Sequence, residues 1–92
     1  MSAGAQGPER GFSFPGEFEL TAMGPTAAGL ERRVPAWLLD AGVETVGGVL
    51  RVRASSGGRF VAVTVCVRAA SRADLEAAHA ALRAHPEVKW TL

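Results

Sequence analysis

Two periodicities alternate along this chain. From Glu17 to Met23 every second residue is apolar, with Phe18, Leu20 and Ala22 on one side and Glu17, Glu19 and Thr21 on the other. Successive side chains of a strand point to opposite faces, so this segment predicts a strand with one buried face. Beyond Gly24-Pro25 the spacing changes: Leu30, Val34, Trp37, Leu38 and Ala41 recur as one face of a helix. Pro35 interrupts that stripe. Inside a helix, proline removes a hydrogen bond and clashes with the preceding turn, at about 3 kcal/mol. The pattern predicts either a kink near Arg32–Val34 or a second short helix beginning at Pro35, with Gly42 as the C-terminal cap.

Val43–Gly48 reads as a loop, and Leu50 and Val52, alternating with Arg51 and Arg53, as a second strand. Ser55-Ser56-Gly57-Gly58 lies between two β-like runs and predicts a hairpin turn. In the third strand, Phe60–Ala69, Val61, Val63, Val65 and Val67 share one side, and Phe60, Ala62, Thr64, Cys66 and Arg68 the other. Its β-branched content predicts a central strand. Ser71 followed by Asp74 is a helix start, the hydroxyl capping a free amide and the carboxylate reaching back. Leu75, Ala78, His79 and Leu82 form that helix's buried stripe, His85-Pro86 ends it, and Val88, Trp90 and Leu92 alternate in a last strand.

The order β-α-β-β-α-β with right-handed crossovers predicts an α+β fold, the ferredoxin-like plait: a four-stranded antiparallel sheet with two helices on one face. Its usual strand order is 4-1-3-2. Phe18, Leu20, Leu50, Val52, Val61, Val63, Val65, Val88 and Trp90 are then expected under the helices. The bare face is expected to carry Glu17, Glu19, Arg51, Arg53, Phe60, Thr64, Cys66 and Arg68, with Thr21 and Lys89, and to be the surface that meets a partner.

Composition narrows the class without naming a function. Ninety-two residues, 48% hydrophobic and 21% charged, suit one small globular domain. We assign it to residues 12–92, after an aperiodic tail, Met1–Gly11, rich in Gly, Ala, Ser and Pro and expected to be disordered. Ten basic against nine acidic residues leave a net charge of +1, too balanced to imply a polyanionic partner. Nine of the ten basic residues are Arg, which together with abundant Ala and Gly reads as a coding bias. The single Cys66 cannot pair within the chain and fits a reducing compartment. The first residues lack the apolar stretch of a signal peptide, and no run approaches a membrane span. A cytoplasmic protein is expected.

The segments FPGEFELTAMG (Phe14–Gly24), Ser55-Ser56-Gly57, the VTV of Val63–Val65 and RAHPEVKWTL (Arg83–Leu92) occur in an order that resembles the YbeD-like family of small uncharacterised bacterial proteins. The likeness covers Phe14 to Leu92, with two departures: Pro35, and a longer stretch between Gly24 and Ser55. It implies the same plait, similar to the ACT domains that bind small ligands in metabolic enzymes. It implies no activity, because the family's biochemical role is not established.

Candidate chemistry is sparse. Cys66, His79 and His85 fall on different elements and do not converge as the ligands of tetrahedral zinc must, so no metal and no cofactor is expected. Cys66 reads as a small apolar strand residue; a redox role would need a lowered pKa, to which only Arg68 points. Phe60 is the one aromatic expected on the open face, beside carboxylates that repel phosphate, which argues against RNA stacking. Ser55, Ser56 and Gly57 could cradle an anion, but lack the lysine and helix of a phosphate loop. A tight hairpin explains the same residues. Glu17 and Glu19 share a strand face without the apolar pocket that would raise a carboxyl pKa for acid catalysis. The reading that remains is a non-catalytic regulatory or protein-interaction module that binds a protein partner or itself. The alternatives are an ACT-like small-ligand sensor and, behind it, an RNA-binding module.

Overall fold

Alternation along β1 (Gly16–Pro25) and β3 (Phe60–Ala69) buries Leu20, Ala22, Val61, Val63, Val65 and Val67 on one side of the sheet. The computed structural model describes residues 13–92, so the expected tail Met1–Gly11, and Phe12, lie outside the described residues. β1 and β3 are antiparallel neighbours at the centre, with Leu20 opposite Val65 and Ala22 opposite Val63. β2 (Glu44–Ala54) flanks β3, and β4 (Trp90–Thr91) flanks β1, giving the order β2-β3-β1-β4. This is the expected 4-1-3-2 order read from the other edge.

Helices α1 (Leu30–Asp40) and α2 (Arg72–Arg83) supply Leu30, Val34, Leu38, Leu75, Ala78 and Leu82 to the same core. Fully burying a Val or Leu side chain stabilises by about 1.5–3 kcal/mol, so this shared layer holds both helices on one face. Pro35 sits inside a single helix and does not begin a second one. Leu30, Val34 and Leu38 on either side of it are fully buried, and their packing holds the two halves together despite the missing hydrogen bond. Gly42 caps α1 as expected, at φ 79°. Its N–H donates to the Leu39 carbonyl at 3.0 Å and that of Val43 to Leu38 at 2.9 Å, the doubled closure of a Schellman motif. At α2 the Ser71 hydroxyl accepts from the Asp74 amide at 3.2 Å, and the Asp74 carboxylate accepts from Ala70 N–H at 3.2 Å, one residue before the cap.

Three expectations need correction. Val43–Gly48 is not all loop: β2 begins at Glu44. Its ladder with β3 slips between Thr45 and Val49 and again between Val49 and Arg51. The extra residues, including Gly47 at φ 74° and Leu50, make bulges. Leu50 is therefore exposed and not under the helices. Val52 pairs with Val63 and keeps the helix side, yet on an edge strand it is half-exposed.

The third correction is Trp90. Val88 is buried but lies in the turn before β4, its N–H donating to the His85 carbonyl at 2.9 Å. The alternation does not run through it. Trp90 pairs with Met23, and Thr91 with the core residue Ala22, so Thr91 faces the helices and Trp90 the open side. Trp90, in place of Lys89, takes the position opposite Met23. No helix among the described residues is long and apolar enough to cross a membrane.

Candidate functional site: the open sheet face

Residues directly opposite each other on antiparallel strands share a face, so the register sorts the open face into rows. At one end Glu44, Arg68 and Glu17 form a row across β2, β3 and β1. The Arg68 guanidinium donates to Glu17 at 2.7 Å and to Glu44 at 2.6 Å. The hydrogen bond to Glu17, then the charge of Glu44, raise the Arg68 pKa and keep it cationic. Further along, Arg51 and Thr64 are opposite, as are Thr64 and Thr21, whose hydroxyls are 2.7 Å apart. Arg51 reaches over β3 to Glu19 at 2.9 Å. Four of the charges expected to meet a partner, Glu17, Glu19, Arg51 and Arg68, are thus paired within the sheet.

The other end is apolar. Arg53, Ala62, Met23 and Trp90 form one row across all four strands, and Phe60 lies two residues from Ala62, opposite Pro25. Trp90 is 58% exposed, Phe60 43% and Leu92, hydrogen-bonded to Thr21 along the same side, 72%. On the β2 side of this end is a shallow hollow of about 190 Å³ bounded by Met23, Arg53, Phe60 and Ala62. Arg53 has no ion-pair partner among the described residues. Sequence reasoning placed Phe60 and Arg53 here and missed Met23, Trp90, Leu92 and, at the charged end, Glu44. Period-two reading from Val88 sends Trp90 inward, and the glycines after Glu44 conceal its strand.

The remaining candidates serve the fold. The Ser55 hydroxyl accepts from the Phe60 amide at 3.1 Å and the Gly58 N–H donates to the Ser55 carbonyl at 2.9 Å, closing the hairpin. Ser56 and Gly57 lie exposed in that turn. Thr26 fastens the turn from the other side, its hydroxyl donating to the Gly58 carbonyl at 2.6 Å. His79 Nδ1 is 3.1 Å from the Thr91 hydroxyl, which also accepts from Arg83 at 3.2 Å. Partial burial, with the Arg83 charge second, lowers the His79 pKa. His85 stacks on Trp37 with centroids 3.8 Å apart, while Arg33 lies over the same indole and pairs with Glu87 at 3.3 Å. Cys66 is half-buried beside the Arg51–Glu19 bridge. Among the described residues no group of three or more His, Cys, Asp or Glu is placed to hold a metal ion. A second hollow, about 390 Å³, opens between β2 and the start of α2, with Arg68, Glu44 and Asp74 on its walls. Its one cation is already held by two carboxylates.

Residues 9–92 match the family model described as "Protein of unknown function (DUF493)". The chain belongs to this family. It is 48% identical to a UPF0250 protein of Stenotrophomonas maltophilia and 49% identical to one of Xanthomonas axonopodis pv. citri, in both cases over 92 residues and the whole of each chain. It is 48% identical to a UPF0250 protein of Xylella fastidiosa over 84 residues, 91% of each chain. No solved structure matches it. The YbeD-like resemblance of the strand and turn motifs is thus one of membership, in a family of small bacterial proteins of unknown function.

Proposed function

We propose that this DUF493 protein is a small, non-catalytic interaction module of the cytoplasm that docks a protein partner on its open sheet face and acts by regulating it. One observation carries this reading: the row Arg53–Ala62–Met23–Trp90, with Phe60 beside it, leaves two large aromatics uncovered on a sheet whose other charged groups are paired. Exposed aromatics next to an arginine are the residue types that dominate binding energy at protein interfaces. The histidines and the Ser55, Ser71, Thr21 and Thr64 hydroxyls are engaged in caps, turns and packing contacts, which supports a role without chemistry.

The test is affinity capture from the native cell, followed by reconstitution from the purified chain and each captured protein. A protein that binds the wild type directly, and binds Phe60→Ser and Trp90→Ser at least about tenfold more weakly, is the expected result. Direct binding that both variants retain would move the function off this face. Co-purification of nucleic acid, read from the absorbance ratio, would favour the RNA-binding alternative, and a small molecule retained through purification the sensor alternative.

A further inference from the structure

We propose that the hollow between Met23, Phe60 and Ala62 receives one large apolar side chain of the partner, and that a carboxylate next to that side chain in the partner pairs with Arg53. The inference rests on the docking reading and adds the chemistry of what docks. Its first support is charge. Of the three arginines on the open face, Arg51 is held by Glu19 and Arg68 by Glu17 and Glu44. Arg53 alone has no carboxylate among the described residues, and it stands on the rim of the apolar hollow. A guanidinium beside apolar surface loses water when that surface is covered, so the covering group is selected for a carboxylate that restores its hydrogen bonds.

The second support is size. A hollow of about 190 Å³ is below the roughly 300 Å³ at which small-molecule pockets begin. It suits a single side chain, with Phe60 in its wall and Trp90 beyond Met23 in the same row. A second copy is a poorer occupant. The carboxylates on its own open face are already paired, so two such faces would bring Arg53 no counter-charge. The chain does expose Leu39 followed by Asp40 on α1. That pair docked into the hollow of a neighbour would be a head-to-tail contact, giving rings or filaments and not a closed dimer.

The test uses two acetylated, amidated hexapeptides, one built on Leu-Glu repeats and the other on Leu-Lys repeats, titrated into the 15N-labelled full chain. The acidic peptide is expected to shift the amides of Met23, Arg53 and Ala62 and the Trp90 indole N–H, with an affinity about tenfold above that of the basic peptide, as for one charge-assisted hydrogen-bonded pair. In Arg53→Glu the preference should reverse. Equal response to both peptides, a preference that survives Arg53→Glu, or no shift with either peptide overturns the inference. So does concentration-dependent assembly of the wild type, in sedimentation, that Asp40→Lys abolishes. None of these decides the docking reading, which stands or falls on the Phe60→Ser and Trp90→Ser binding comparison.

Discussion

The Arg51 guanidinium on β2 crosses the whole width of β3 to reach the Glu19 carboxylate on β1, 2.9 Å away. It passes over Thr64, which is only 4% exposed although it stands on the open face of the sheet. An exposed ion pair contributes at most about 1 kcal/mol to folding. Its larger consequence is steric: the two long side chains cover the middle of the open face and leave only the Trp90 end bare.

That cover is testable through Cys66, which lies opposite Glu19 on β3. In Arg51→Ala the bridge is lost, and the Cys66 thiol should react several-fold faster with iodoacetamide. The melting temperature should move by only a few degrees, as expected for loss of an exposed pair. An unchanged alkylation rate would show that the bridge shields nothing.

His79 makes stability depend on pH. Partial burial and Arg83 lower its pKa in the folded chain below the 6.5 of the free side chain. Between those two values the unfolded chain binds more protons, so stability rises with pH there. The contribution is complete above pH 6.5 and is lost as the pH falls through the folded-state pKa. Melting curves collected between about pH 5 and pH 7.5 should show His79→Gln flatter than the wild type in this window. Parallel pH profiles would rule the histidine out as the source.

Gly24 packs where β1 meets the turn before β4. A Cβ there would collide with the Glu87 carbonyl and touch Leu30. Backbone cannot yield as a side-chain tip can, so Gly24→Ala should destabilise by about 1–3 kcal/mol in urea unfolding. Gly57, whose Cβ would meet nothing, is the control, and Gly57→Ala should be nearly neutral.

The valines separate the centre of the sheet from its edge. Val65 is buried on β3 and Val52 half-exposed on β2. Val65→Ala should cost about 1–3 kcal/mol, from lost burial plus a cavity, whereas Val52→Ala should cost about 0.5 kcal/mol or less, as surface changes do. Similar losses at both positions, measured by denaturant midpoint, would mean that the edge is more tightly packed than its exposure indicates.

The sequence by itself determined the features that depend on neighbours along the chain. Period two through Phe18, Leu20 and Ala22 and through Val61–Val67 makes strands with one apolar face, because adjacent side chains of extended backbone must diverge. Ser71 with Asp74, and Gly42 after α1, mark helix ends because the free amides and carbonyls there need partners within a few residues. From these local facts the β-α-β-β-α-β order, the plait and most of the open face follow. What only the tertiary structure decided depends on partners distant in sequence. The bulges of β2, which expose Leu50 and bring Glu44 to Arg68, arise from fitting extra residues against β3. The continuity of α1 through Pro35 comes from burial of Leu30, Val34 and Leu38 on the sheet. The outward turn of Trp90 is set by its pairing with Met23, and the closing of the charged end by Arg51 and Arg68 reaching carboxylates on neighbouring strands. Register between strands is a choice among pairings of similar local quality, and packing across the whole sheet makes it.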